Sequence, residues 1–185
     1  MSERADAARN RQAILRATEE LLTLHDGAHI SLDQVAAHAQ VGKGTVFRRF
    51  GNRTGLMQAL LQERAAQLRQ ALQSGPPPLG PGAPSAERIV AFLDALSQLA
   101  AGNLALLTAH ERSCATDRHA DPTYLRWHTH LETLIGQARP DLDATFVAHA
   151  LLGMFDADMV RRLTQEDDPG RFARSLRQLV GELLT

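Results

Sequence analysis

A segment rich in proline and glycine at residues 74–84 divides the chain and most constrains its fold. It holds five of the eight prolines and three of the thirteen glycines, so no helix can pass through it. Before it, apolar residues recur at helical spacing, as in Ile14, Ala17 and Leu21. Ala (29) and Leu (28) dominate, whereas the β-branched Val and Ile that strands favour together number only 11. The sequence therefore predicts an all-α fold of about nine helices.

Charge is spread unevenly along the chain, although the formal net charge is only −1. Residues 1–64 carry nine basic and seven acidic residues, a net charge of +2, whereas residues 65–185 carry eleven and fourteen, a net charge of −3. This balance excludes a histone-like polycation and an acidic tail. Cys114 is the single cysteine, so no intrachain disulfide is possible, and no apolar run is long enough to span a membrane. We therefore expect a soluble, cytoplasmic protein.

Two short predicted helices, joined by a tight turn at residues 40–42, follow a longer helix over residues 8–24. Ser31 and Gln34 form the S-x-x-Q pattern of a capping box, which begins the first short helix. The second short helix covers residues 43–50. This arrangement is typical of a helix-turn-helix, in which the second short helix enters the major groove of DNA.

Hydrogen-bond donors are concentrated in the second short helix and just beyond it. Lysine and arginine donate to phosphates and to guanine, and Gly44 permits close approach of the backbone to DNA. The aromatic Phe47 can pack on a sugar or a thymine methyl, and Arg53 begins the next helix, where its cation suits a phosphate. The candidate DNA-binding residues are Ser31, Lys43, Gly44, Thr45, Phe47, Arg48, Arg49 and Arg53.

Residues 11–61 resemble the DNA-binding domain of TetR-family transcriptional regulators. The matching residues, in order and spacing, are Gly27, Ser31, Val35, Ala36, Val41, Gly44, Thr45, Phe47, Phe50, Arg53 and Leu56. The family usually has Tyr where Phe47 stands, and often His or another polar aromatic residue where Arg49 stands, so we expect the contacts to phosphate to differ in detail. The resemblance implies a homodimer that binds palindromic operator DNA, most often as a repressor, and responds to a small-molecule effector.

The resemblance also implies a division of the chain into functional parts. Residues 1–52 would be the DNA-binding domain, residues 53–73 a connecting helix, residues 74–84 a loop, and residues 85–185 the ligand-binding and dimerisation domain. Apolar spacing in the last part predicts five helices. They are expected near residues 89–99, 103–113, 122–135 and 142–163, with a final helix from Asp168-Pro169.

By the resemblance, the last two helices pair with their counterparts in a second copy as a four-helix bundle. The predicted interface residues are Phe146, Ala150, Met154, Phe172, Leu176, Leu179 and Leu183. The alternative is that these apolar stripes face only the core of the monomer.

The resemblance implies an effector pocket in the helices after the loop, and aromatic and apolar side chains with polar groups beside them are the candidates for its lining. Trp127, with Tyr124 and His128 on adjacent turns, would give apolar walls and polar contacts. The candidates, each of which can equally be an ordinary core residue, are Phe92, Leu96, Leu107, His110, Glu111, Cys114, Tyr124, Trp127, His128, His130, Phe146, Met154 and Phe155.

Other functions receive less support from the sequence. His110 and Cys114 lie four apart on one predicted helical face, and thiolate with imidazole suits Zn or Cu, yet no CxxC or HExxH is present. A metal-responsive regulator using these two residues is therefore one alternative. A helical protein–protein interaction module without DNA binding is another. Because GxGxxG, Walker and GxSxG motifs are missing, we expect neither an enzyme nor a resident cofactor.

Overall fold

The computed structural model describes residues 3–24, 30–101, 104, 108, 118–164, 168 and 170–185. Across these residues the regular secondary structure is helical, with nine α-helices and one short 3-10 helix, which confirms the predicted all-α class. None of these helices is both long enough and apolar enough to cross a membrane. The helices are α1 (Glu3–Leu24), α2 (Leu32–His38), α3 (Lys43–Phe50), α4 (Arg53–Ser74), α5 (Ser85–Ala101), α6 (Pro122–Ala138), α7 (Ala144–Gly153), α8 (Ala157–Leu163) and α9 (Arg171–Leu183), with the 3-10 helix at Arg118–Ala120.

The chain forms two compact units, residues 1–63 and 64–185. Helix α4 begins in the first unit and ends in the second. The division expected from the sequence, into residues 1–52, 53–73, 74–84 and 85–185, is finer than these two units and stays a prediction.

The first unit builds its core from one face of each of its helices. Burial of each such aliphatic side chain stabilises the fold by about 1.5–3 kcal/mol. The hydroxyl of Thr18 is also buried there, and it donates to the carbonyl of Ile14 at 2.8 Å, so no polar atom of this side chain is left unpaired. The buried apolar residues include Ile14, Leu15, Leu21, Val35, Val46, Leu56 and Leu60.

The second unit has its own core, in which α6 packs against α5 and α7, and α9 packs against α5. Phe92 of α5 and Leu131 of α6 are fully buried at its centre. The Ser85 hydroxyl at the start of α5 donates to the Gln137 side chain of α6 at 2.7 Å, which fixes the register of these two helices.

The proline- and glycine-rich segment interrupts the helices as predicted, since α4 ends at Ser74 and α5 begins at Ser85. The segment folds tightly on itself: the amide of Gly80 donates to the carbonyl of Pro76 at 2.9 Å. A Cβ at Gly80 would lie 1.8 Å from the carbonyl oxygen of Gly75. Glycine is therefore required at position 80 by the close approach of the backbone.

The predicted single helix over residues 142–163 is wrong, because α7 and α8 occupy this stretch as separate helices. Asp156 lies between them in an extended conformation, with φ −80° and ψ 137°. Its carboxylate accepts from the amides of Asp158 at 2.9 Å and Met159 at 3.1 Å, so it is the N-cap of α8. Apolar periodicity continues through this position, and only the capping aspartate marks the break.

The sequence predicts that Asp-Pro pairs begin two helices in the second half of the chain, and the structure agrees at one of them. Asp121 caps α6, accepting from the amides of Thr123 at 2.8 Å and Tyr124 at 3.0 Å, which confirms the predicted Asp-Pro start. The final helix begins at Arg171, with Gly170 as its N-cap, so the predicted start at Asp168-Pro169 is wrong. The helix predicted over residues 103–113 lies almost wholly outside the described residues.

Candidate nucleic-acid interface

Helix α2 begins at the capping box that the sequence predicts. Ser31 is extended, and its hydroxyl accepts from the amide of Gln34 at 3.2 Å. In return, the Gln34 side-chain oxygen accepts from the Ser31 amide at 2.8 Å. These two bonds pair backbone donors that the first turn of a helix leaves free, and they fix where α2 begins.

A four-residue turn redirects the chain between α2 and α3. Gln40 has a φ of +55°, in the left-handed region that costs a non-glycine residue about 1–2 kcal/mol. The amide of Val41 donates to the carbonyl of Ala36 at 3.0 Å, and the amide of Thr45 donates to the carbonyl of Gly42 at 2.8 Å. The turn is thus held by backbone bonds on both sides, so the orientation of α3 relative to α2 is fixed.

Helix α3 has one buried face and one exposed face. Val46 is fully buried, whereas Lys43, Arg48 and Arg49 are exposed. The ring of Phe47 is 62% exposed, which is unusual for a large aromatic side chain. The exposed face therefore presents three cations and one aromatic ring.

Gly44 lies on this exposed face, in the first turn of α3. A Cβ at this position would meet no atom of the chain within 4 Å, so packing inside the protein does not require glycine there. A glycine at this exposed position would let the backbone of another molecule approach closely.

The cations of α3 differ in how they are held. The Lys43 ammonium donates to the Asp33 carboxylate at 2.9 Å, and the Arg49 guanidinium donates to the carbonyl of Ala7 in α1 at 2.5 Å. No ion pair or hydrogen bond engages the Arg48 side chain within the described part of the chain. Arg48 is therefore the cation of α3 that is available without breaking a hydrogen bond or an ion pair.

Arg53, at the start of α4, serves the fold as well as the exposed surface. Its Nε donates to the carbonyl of Ile30 at 3.2 Å, which ties α4 to the residue before α2. Its two terminal nitrogens have no bond of this kind among the described residues. The predicted phosphate contact of Arg53 remains a prediction.

Glu63, which no pattern in the sequence singles out, joins α1 to α4. Glu63 accepts from Arg11 at 2.7 Å and from the Gln12 amide at 3.1 Å. The hydrogen bond from Arg11 is the main cause that lowers the pKa of Glu63, followed by the bond from Gln12. These residues lie more than 50 positions apart, so no local pattern in the sequence could have paired them.

Most of the predicted effector residues that the structure describes lie in the core of the second unit. Phe92, Leu96, Tyr124, His128 and Phe155 are buried. Trp127, His130 and Met154 are partly buried, and Phe146 is exposed. Leu107, His110, Glu111 and Cys114 lie outside the described residues, so the metal hypothesis built on His110 and Cys114 stays untested. Among the residues that are described, no three His, Cys, Asp or Glu side chains are grouped to hold a metal ion.

His128 belongs to a cluster of rings with Tyr124 and His149. Its Nε2 donates to the carbonyl of Thr145 at 3.2 Å, and its ring centroid lies 3.9 Å from that of His149. The Tyr124 hydroxyl hydrogen bonds to Nδ1 of His149 at 2.6 Å. Partial desolvation, followed by the charges of His128 and His119, lowers the pKa of His149. This cluster joins α6 to α7, and sequence spacing pointed to Tyr124 and His128 but not to His149.

Some of the predicted dimer residues are buried in their own chain, and others are exposed. Phe172 and Leu176 are buried within the core of their own chain, and Met154 and Leu183 are partly buried. Phe146 is 68% exposed and Leu179 is 45% exposed, and Ala150 is exposed as well. The apolar surface that remains for a partner on α7 and α9 therefore centres on the exposed residues.

The chain resembles known proteins both in its N-terminal segment and over nearly its whole length. Residues 14–60 match the model for bacterial regulatory proteins of the tetR family. A TetR transcriptional regulator from Streptomyces coelicolor is 25% identical with a TM-score of 0.62, covering 94% of this chain and 97% of its own. No curated protein sequence matches the chain.

Two further solved structures share the fold. A transcriptional regulator from Rhodococcus sp. Rha1 is 19% identical with a TM-score of 0.67, covering 94% of this chain and 95% of its own. NalD of Pseudomonas aeruginosa, described as the secondary repressor of the MexAB-OprM multidrug efflux pump, is 23% identical with a TM-score of 0.52. That match covers 96% of both chains.

Proposed function

We propose that the protein, whose residues 14–60 match the model for the tetR family of bacterial regulatory proteins, is a TetR-family, ligand-responsive repressor that binds palindromic operator DNA as a homodimer. The observation that carries this proposal is the exposed face of α3. There Lys43, Arg48, Arg49 and an exposed Phe47 surround a glycine that internal packing does not require. Cations for phosphate, donors for base edges and an apolar ring for sugar or methyl groups are the chemistry that DNA readout needs.

A two-fold dimer is proposed because one helix-turn-helix reads only a half-site. Two copies related by a two-fold axis would present two α3 helices to the two halves of a palindrome. The exposed apolar residues Phe146, Ala150 and Leu179 support a partner surface on α7 and α9. Repression follows if the bound dimer blocks access to the DNA that it covers.

Ligand response is proposed through α4, which contributes residues to both compact units. An effector acts only if it binds one state of the dimer better than the other. A tenfold loss of operator affinity requires a coupling free energy of about 1.4 kcal/mol, which is within the range of small-molecule effectors.

The test begins with selection of bound sequences from a random pool of DNA duplexes. We expect enrichment of a palindrome, and tight binding that weakens as salt rises, because phosphate contacts release counterions. Recovery of no common sequence, together with an affinity that does not respond to salt, would contradict DNA recognition. Sedimentation of the free protein at micromolar concentration should show a dimer, and a monomer there would contradict the interface.

A further inference from the structure

Two side-chain nitrogens in the second unit are buried without a hydrogen-bond partner. They are Nε of Arg88, in the first turns of α5, and Nε2 of His130, in α6, and these two helices pack against each other. A buried polar group left unpaired costs about 1–3 kcal/mol, and more when it is charged. Such a cost is seldom retained in a native core unless something else satisfies the group.

No acid neutralises this position within the residues that the structure describes. Four other arginines of the second unit have carboxylate partners, among them Arg177 with Asp94 at 2.8 Å and Arg139 with Asp141 at 2.8 Å. Arg88 forms no such pair in the described ranges. Burial, followed by the positive charge of Arg88, lowers the pKa of His130. Among the described residues, the charge that acts on His130 is therefore positive, and no carboxylate pairs with Arg88.

An aromatic wall adjoins the His130 ring. The His130 ring meets the fully buried Phe92 edge to face, with ring centroids 5.1 Å apart. Phe92 in turn meets Trp127 edge to face at 6.5 Å. Donors beside an apolar wall suit a molecule with a charged head and an apolar body.

We propose that Arg88 and His130 bind the carboxylate of a small organic acid whose apolar body packs against Phe92 and Trp127. A guanidinium presents Nε and a terminal nitrogen in parallel, a fork that matches the two oxygens of a carboxylate. Nε2 of a neutral His130 supplies a third donor when it carries the ring proton. The proposal rests on the proposed function in one respect, since the bound acid is the effector that alters operator affinity.

The ring cluster of Tyr124, His128 and His149 lacks this property. The Tyr124 hydroxyl bonds to Nδ1 of His149, Nε2 of His128 bonds to the Thr145 carbonyl, and no nitrogen of the cluster is buried without a partner. The unpaired nitrogens are thus confined to the α5–α6 contact in the part of the chain that is described.

The first experiment titrates the full-length protein with benzoate and with benzamide, its neutral counterpart, without DNA. Trp127 is the only tryptophan, so fluorescence reports directly on the proposed wall. We expect a saturable change with benzoate, a higher melting temperature, and binding of benzamide at least tenfold weaker. Acetate, hexanoate and decanoate, at matched ionic strength, extend the test to other acids.

Variants separate binding from folding. Arg88→Gln removes the buried Nε that has no partner, so the free variant should melt at the same temperature or higher, yet bind benzoate at least tenfold more weakly. His130→Gln should also weaken benzoate binding. The matched control is Arg126→Gln, which removes an exposed arginine of α6 and should leave benzoate binding unchanged.

Three results would overturn the proposal. They are the absence of saturable binding with every acid, equal binding of benzoate and benzamide, and wild-type benzoate binding by Arg88→Gln. Operator affinity is then measured with and without the acid that binds most tightly, and no change would overturn its role as effector. Acid binding is measured without DNA. A protein that does not bind operator DNA would therefore contradict the proposed repressor, but it would not change the result for acid binding.

Discussion

The ammonium of Lys43 lies 2.8 Å from one carboxylate oxygen of Asp33 and 2.9 Å from the other. Lys43 is the first residue of α3, and Asp33 lies in the first turn of α2. Both side chains are exposed, so this ion pair contributes little to stability, about 0–1 kcal/mol. The ion pair matters for DNA binding, because the Asp33 carboxylate competes with DNA phosphates for Lys43, the only lysine of the chain.

Asp33→Asn should therefore tighten DNA binding. It removes a negative charge beside α3 and releases Lys43, so we expect an affinity gain of about two- to tenfold and a salt dependence steeper by about one counterion. The loss of an acid at the start of α2 should cost about 0.3–1 kcal/mol of unfolding free energy. Titrations of operator DNA at several salt concentrations measure the first effect, and urea unfolding measures the second.

The control for this variant is Asp158→Asn, which frees Arg161 from a similar exposed pair in the second unit. It should leave the salt dependence unchanged. Weaker DNA binding by Asp33→Asn would show that the ion pair positions Lys43 for DNA instead of competing with it.

Arg48 and Arg49 should respond differently to truncation. Arg48→Ala should weaken binding to all sequences and reduce the salt slope by about one, with unchanged stability, because no contact among the described residues engages its side chain. Arg49→Ala breaks the bond to the Ala7 carbonyl and should lower the unfolding free energy by about 0.5–1.5 kcal/mol. Equal melting temperatures for both variants would contradict the structural role of Arg49.

Gly44→Ala should stabilise the protein while weakening DNA binding. Alanine in a helix is favoured over glycine by about 0.5–1 kcal/mol, and the added Cβ meets nothing within 4 Å. On DNA, the same methyl group should keep the backbone away. The control is Gly136→Ala in α6, where the Cβ would lie 3.9 Å from Ala144, an ordinary contact, and where only the stability should rise. Unchanged operator affinity of Gly44→Ala would exclude close approach at this glycine.

Glu63 should make stability depend on pH in the acid range. Its folded pKa is lowered from 4.5 by Arg11 and Gln12, so the stabilisation is complete above pH 4.5 and is lost as the pH falls through the folded value. Glu63→Gln should be less stable than the wild type at pH 7, and the difference should shrink below pH 4.5. Urea unfolding at pH 7, 5 and 3.5 measures this, with the exposed Glu182→Gln as a control. A difference in stability that does not change with pH would contradict the role of the hydrogen bonds from Arg11 and Gln12 to Glu63.

Phe146→Asp should dissociate the proposed dimer. A large aromatic residue at the centre of an interface commonly contributes 2 kcal/mol or more, so we expect the dimer dissociation constant to rise about thirtyfold or more. Because the ring is 68% exposed in the single chain, the fold itself should be little affected. Leu24→Asp changes another exposed apolar residue, 70% exposed in α1, and should leave sedimentation unchanged. A dimer of wild-type strength in Phe146→Asp would place the interface elsewhere.

Much of the helical framework follows from the sequence alone. Ser31 with Gln34, and Asp121 before Pro122, begin helices where the sequence predicts them, because a cap bonds to amides only two or three residues away. The break at residues 74–84 is equally local, since proline lacks an amide hydrogen. The helix-turn-helix and its exposed donors follow for the same reason.

Only the tertiary structure decided which of those donors are free, and which buried side-chain nitrogens have no hydrogen-bond partner. Arg49 reaches Ala7 across 42 residues, and Arg11 reaches Glu63 across 52, so no local spacing encodes either contact. The charge of Arg88 acts on His130 because α5 packs on α6. Caps and helical periods depend on neighbours in sequence, whereas the state of a buried or exposed cation depends on what packing brings beside it.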